Sequence, residues 1–176
     1  MIFGVAGVDP TRRAELISLL GVDVNWSMSR VSDGQRRRVQ ICLGLLKPFQ
    51  VLLCDEVTVD LDVCARVDLL AFLRRETEQR GATVVFATHI FDGLTGWPSH
   101  VAYVERGLLK RWGSAAEVPE MCADGDADDG KSRLLSTMEK WLRAERDDRL
   151  ANARPAPGAK LSNTPLFSSR QMSHYR

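Results

Sequence analysis

Apolar residues along this chain fall either at helical spacing or in short unbroken runs. Asp9-Pro10 reads as a helix start, because proline already holds the helical φ and its missing N–H would go unpaired there anyway. Ala14, Ile17 and Leu20 give that helix an apolar side, and Gly21 stops it. Residues 22–31 are short and irregular, with Trp26 and Met28 as expected packing residues. Ser32 or Asp33 caps a stronger helix, in which Val39, Cys42, Leu43 and Leu46 recur at i, i+3, i+4, i+7. Arg36, Arg37 and Gln40 lie towards its other side, and Lys47-Pro48 ends it.

Val51-Leu52-Leu53-Cys54 follows as a short strand, apolar on both faces in the manner of a buried parallel sheet. The longest helix covers 62–80, from Asp62 to just before Gly81, with Val63, Val67, Leu69, Leu70 and Leu73 as its packing face. Thr83–Thr88 is the next buried strand, with His89 at its carboxyl end. A pair of short strands is expected at 100–104 and 108–112, turning at Glu105-Arg106-Gly107. Helices interleaved with apolar strands favour an α/β sandwich with a partly parallel sheet, whose ligands bind at the carboxyl ends of the strands.

The pattern changes near residue 122. Residues 1–122 carry the folded domain, and 123–130 are expected to be an acidic linker. Residues 131–150 follow as an amphipathic helix with Leu134, Leu135, Met138, Trp141 and Leu142 on its apolar side. The Pro-, Ser- and Arg-rich stretch 151–176 is expected to be disordered. With 176 residues the chain has room for one real core. Lys and Arg number 24 against 23 Asp and Glu, so the overall balance does not call for a nucleic acid or an acidic lipid surface. No apolar run approaches the roughly 18 residues of a membrane span, and no secretory leader is evident in the first residues. Cys42, Cys54, Cys64 and Cys122 show neither metal-site spacing nor a disulfide framework, which points to a reducing, cytosol-like compartment.

Three places carry chemistry. Asp55-Glu56 ends an apolar strand with two carboxylates, where phosphates and a divalent cation can sit. In nucleotide hydrolysis the first acid helps hold magnesium and the second polarises the attacking water. Solvated residues at a strand end read the same way on spacing alone. His89 has the matching position on the neighbouring strand, where it can meet a γ-phosphate or simply close the strand, and Thr88 is a weaker hydrogen-bonding candidate beside it. Ser32-Asp33-Gly34-Gln35 combines a hydroxyl, a glycine amide and a helix N-terminus, which suits a phosphate as well as an ordinary cap. The run Arg36–Arg38 is weak support for nucleic-acid binding in a chain of net charge +1.

In their order and spacing, Ser32-Asp33-Gly34-Gln35-Arg36-Arg37-Arg38-Val39-Gln40, then Val51–Asp62, then Thr88-His89 resemble the C-terminal half of an ABC-type ATPase domain. That resemblance implies an incomplete P-loop NTPase sandwich followed by a C-terminal helix. It makes Ser32, Gly34 and Gln35 part of the signature loop, which reaches the γ-phosphate of ATP held by a partner domain. Asp55 becomes the magnesium-associated Walker B aspartate, Glu56 the catalytic glutamate, and His89 the switch histidine. Val59–Asp62 matches the loop that crosses the dimer interface, which places Asp62 among the ATP-binding residues. Asp33 departs from the usual glycine and Val57 from the usual proline. Both departures occur in the soluble branch similar to a yeast protein associated with the CCR4-NOT complex, with relatives in plants. The resemblance covers roughly residues 1–120.

The 176 residues contain no Gly-x-x-x-x-Gly-Lys-Ser/Thr loop. Gly4 and Gly7 lack the lysine and the hydroxyl. The resemblance then implies a domain without its Walker A half, exposed apolar faces on the sheet, and no ATP hydrolysis by the chain alone. ATP and Mg²⁺ would require that half or a partner chain. The expected partner is another ABC ATPase domain, in a homo- or heterodimer, with a CCR4-NOT-like regulatory complex beyond it and a cytoplasmic or also nuclear location. The alternative is a non-catalytic module donating its signature loop in trans to an intact ABC ATPase.

Overall fold

The computed structural model describes residues 7–118 and 132–152. The acidic stretch 123–130, Cys122, residue 131 at the expected helix start and residues 153–176 of the tail lie outside them. The elements in order are α1 (Pro10–Leu19), α2 (Asp33–Leu45), β1 (Val51–Asp55), α3 (Val63–Arg80), β2 (Thr83–Ala87), β3 (His100–Glu105), β4 (Leu108–Ser114) and α4 (Arg133–Asn152). The chain divides into two compact units, 1–138 and 139–176, with the boundary inside α4.

Each helix of the first unit begins where its local chemistry dictates. Asp9 caps α1 by accepting from the amides of Thr11 and Arg12, with Pro10 directly behind it. Ser32 and Gln35 form a reciprocal capping box at α2: Gln35 N–H donates to Ser32 Oγ at 3.2 Å, and Ser32 N–H donates to Gln35 Oε1 at 2.9 Å. Asp62 caps α3 through the Ala65 amide at 3.0 Å. Gly81, at φ 66°, ends α3 in the left-handed conformation that a side chain would resist.

β1 and β2 pair in parallel, Val51 opposite Thr83 through Asp55 opposite Ala87, with α3 as the crossover between them. One face of this pair, through Leu52, Cys54, Val84 and Phe86, packs on a core of Leu16, Leu20, Leu45, Leu69, Phe72 and Leu73. The other face is bare: Val51 is 63%, Leu53 75% and Val85 52% exposed. The exposed apolar face expected from the resemblance is therefore present. β3 and β4 form a separate antiparallel hairpin, irregular between Tyr103 and Val104, turning through Arg106 and Gly107 as expected.

Several packing faces differ from the sequence reading. α1 turns Arg12, Leu16 and Leu20 inward while Ala14 is exposed, because a buried ion pair sets its rotation. Arg12 forks onto Glu76 of α3 with both bonds at 2.9 Å, and its Nε donates to the Leu45 carbonyl at 2.8 Å. One residue pair thus ties α1 to α3 and to the end of α2. With Glu76 inward, α3 buries Ala65, Leu69, Phe72 and Leu73, and the opposite positions Val63 and Val67 face solvent. Leu70 is covered separately by the segment after β2, where the Trp97 indole donates to the Leu70 carbonyl at 2.9 Å and stands edge-on to Phe86. On α2, Leu45 takes the buried position assigned to Leu43, which is exposed. Met28 is exposed too.

Leu134 and Met138 are buried on the first turns of α4. The helix beyond them carries i,i+4 pairs, Arg143 with Glu139 and Arg149 with Glu145. Among the described residues, no helix is long and apolar enough to cross a membrane.

Candidate functional site

The carboxyl ends of β1 and β2 bring Glu56 and His89 together. His89 Nδ1 lies 2.8 Å from Glu56 Oε1, and Thr88 Oγ1 donates to Glu56 Oε2 at 3.3 Å. Parallel pairing makes this possible, because it sets both strand ends at the same edge. Thr88 also accepts the Ile90 amide at 3.0 Å, which turns the chain immediately after His89.

Glu56 has φ 46°, a left-handed conformation that costs a non-glycine residue about 1–2 kcal/mol. Strain of this kind collects at functional positions where the surroundings over-determine the backbone. Here the Glu56 amide donates to the Ala87 carbonyl at 3.0 Å, and the Glu56 carbonyl accepts Nη2 of Arg37 at 2.9 Å. Burial by itself pushes the Glu56 carboxyl up. The hydrogen bond and charge of His89, with Thr88, outweigh it and leave the group below the ordinary carboxylate range. An acid held ionised in this way orients a water better than it strips its proton. With Nδ1–H committed to Glu56, His89 can donate from Nε2 to a phosphate oxygen only when the ring carries its second proton.

Asp55 is the last residue of β1, exposed, and among the described residues it forms no ion pair or side-chain hydrogen bond. Those residues contain no group of three His, Cys, Asp or Glu side chains able to cage a metal ion. A free carboxylate nevertheless fits magnesium, which takes one or two protein oxygens and fills its other positions with water and phosphate.

Ser32, Gly34 and Gln35 stand together at the start of α2. The Ser32 hydroxyl and the Gln35 amide oxygen are consumed by the capping box, so an anion arriving here meets first-turn amides rather than those side chains. Asp33 is turned into solvent and paired with Arg36 at 2.8 Å, which offsets its charge at this helix end. Gly34 packs so closely on the 59–62 loop that a Cβ there would stand 3.0 Å from the Asp60 carbonyl oxygen. Asp62 joins this group through its ion pair with Arg38. The Ala65 amide is the main influence lowering the Asp62 carboxyl, with Arg38 adding to it against burial.

The named residues therefore form two groups: Glu56 with His89, and Ser32, Gly34 and Gln35 with the Asp60–Asp62 turn. Arg37 connects them by reaching from α2 to the Glu56 carbonyl. Its part was invisible in the sequence, where it reads as the middle of a basic run.

No protein-family model matches the chain. It is 54% identical to ABC transporter I family member 20 of Arabidopsis thaliana over 170 residues, 97% of this chain and 48% of that protein. The chain resembles part of an ABC-type ATPase domain and shares its fold. Against CCR4-associated factor 16 of Saccharomyces cerevisiae it is 59% identical over 98 residues, 56% of this chain and 34% of that one. A dimeric bacterial ABC transporter cassette, also solved with ADP and Pi bound, shares the fold at a TM-score of 0.52 and 24% identity. That match covers 59% of this chain and 46% of the cassette. The chain spans about half the length of the ABC proteins it resembles.

Proposed function

We propose that the chain supplies the signature loop, the strand-end acids and the switch histidine of an ABC-type ATP-hydrolysing site. The observation that supports this most is the 2.8 Å contact of Glu56 with His89 at the ends of neighbouring parallel strands.

On this reading Glu56 orients the attacking water, and protonated His89 donates to the γ-phosphate and steadies Glu56. Asp55 helps hold Mg²⁺, whose charge neutralises phosphate oxygens when it is bound. The loop of Ser32, Gly34 and Gln35 faces the γ-phosphate of ATP held by a second ABC domain, offering the Asp33 and Gly34 amides that the capping box leaves free, with Asp62 steadying the loop at that interface. The phosphate-wrapping loop comes from polypeptide outside these 176 residues, so the chain alone does not turn over ATP. Dimerisation with another ABC domain follows from the need for a second half-site. The likeness to a CCR4-associated factor extends the reading to a regulatory complex of that kind, in the cytoplasm or also the nucleus.

A second reading is favoured by the intact capping box and the tight Gly34–Asp60 approach: the chain donates its signature loop in trans to an intact ABC ATPase. One experiment separates the two. An antibody against 131–150 recovers the protein from its native cells, and its intact mass and N-terminus are read. A species near twice this mass with a glycine–lysine loop upstream supports the first reading. A stable species starting at Met1 overturns it and leaves association with an intact ABC ATPase, dependent on ATP, as the expected behaviour.

A further inference from the structure

We propose that Arg37 is the positioning residue for Glu56, holding its backbone in the left-handed conformation from which the carboxylate meets His89. The proposal rests on the reading of Glu56 as the acid of the site. Glu56 is one of two non-glycine residues with positive φ among those described, and the other, Arg106, sits in a hairpin turn. A turn next to a glycine explains Arg106. Nothing so local explains Glu56, which follows a strand directly and precedes Val57.

Arg37 holds it from a distance, donating Nη2 to the Glu56 carbonyl across nineteen residues of sequence. The three consecutive arginines are used differently. Arg36 pairs with Asp33 and Arg38 with Asp62, whereas Arg37 has no carboxylate partner among the described residues. Its Nε is buried with no hydrogen-bond partner. A partly buried guanidinium left unpaired opposes folding, so stability alone would favour an uncharged residue there. Among the described residues, the one side-chain hydrogen bond of Arg37 goes to the Glu56 carbonyl, so the Glu56 main chain is held at both ends, its amide on Ala87 and its carbonyl on Arg37. Because Arg37 sits five residues after Ser32 on the same helix, any displacement of the Ser32–Gln35 end of α2 is carried directly to the acid.

The test compares wild type, Arg37→Met and Arg37→Lys in isotopically labelled full chain, reading the amide–Hα coupling and Cα shift of residue 56, which report φ. Arg37→Met is expected to move Glu56 out of the left-handed region, and Arg37→Lys, which keeps a donor, to retain it in part. An unchanged coupling in folded Arg37→Met overturns the proposal. If that variant does not fold, Arg37→Leu, which also lacks a donor, replaces it with the same expectation and the same overturning result. In the ATP-hydrolysing assembly that contains the chain, Arg37→Met should lower kcat about tenfold or more at constant KM, since misplacing a catalytic group acts on the chemical step. A raised KM at unchanged kcat overturns it. Glu56→Gln is measured alongside: if it leaves turnover intact, the reading of the site fails whatever Arg37 does.

Discussion

Glu76 accepts both prongs of the Arg12 guanidinium at 2.9 Å, across 64 residues of sequence and almost out of reach of water. Arg80 adds a third contact at 2.7 Å, and Phe72 lies under the Arg12 head. Replacing Glu76 leaves the Arg12 charge buried without a carboxylate, which costs about 3–5 kcal/mol, whereas replacing Arg12 leaves Glu76 its bond to Arg80 and costs less. Arg12→Met and Glu76→Gln should each lower the denaturation midpoint accordingly. The double replacement should recover part of the loss in a double-mutant cycle.

The same pair sets an acid limit. Burial pushes the Glu76 carboxyl up, but the Arg12 hydrogen bond and charge, with Arg80, bring it below its ordinary 4.5. Its contribution to stability is therefore complete above that ordinary value and is lost as pH falls through the lowered folded one. Thermal melts of the wild type should fall steeply on this acid limb, and Glu76→Gln should flatten it.

Removing the Glu56 carboxylate should stop chemistry without releasing nucleotide. In the complete assembly, Glu56→Gln is expected to reduce ATP turnover by about 10²-fold or more, the scale for a misplaced reacting group. ATP-dependent association should persist in sedimentation. Equal loss of both would mean that Glu56 serves the fold rather than the reaction.

Gly34→Ala tests the approach of the α2 start to the 59–62 loop. The added methyl meets the Asp60 carbonyl at 3.0 Å, so backbone must shift, at a cost of about 1–3 kcal/mol typical of overpacking. Ser32→Ala should cost about 1 kcal/mol through the lost cap. Because the two act on one loop, their effects should fail to add, as chemical denaturation of the double variant will show.

Alkylation separates the cysteines. Burial raises the Cys54 thiol to about 11 and pushes Cys42 up as well, while Cys64 is exposed. In native protein at neutral pH, peptide mass mapping should find Cys64 modified well before Cys42 or Cys54, and all three modified together in denaturant.

Element ends were legible in the sequence because they are local. Asp9-Pro10, Ser32, Asp62 and Gly81 each act on the adjacent turn, and each marks a real boundary. Helix faces were less so, since the partner decides them. Val63 and Val67 look like core residues until Glu76 is drawn inward by Arg12, and no spacing rule links charged residues 64 positions apart. At the candidate site, the strand-end placement of Glu56 and His89 could be read from two apolar runs. The positive φ of Glu56 and the Arg37 tether could not, because both arise only when α2 lies across the end of β1.

A parallel strand pair joined through α3 has a kinetic consequence. The Glu56–Thr88 bond closes a loop of 32 residues, and α3 must dock before that loop can shut. The acid and the histidine are thus near neighbours only while the crossover holds. Loosening the Arg12–Glu76 clamp, near the opposite end of α3 from Asp62, should shorten the life of the contact as surely as a change in either residue that makes it.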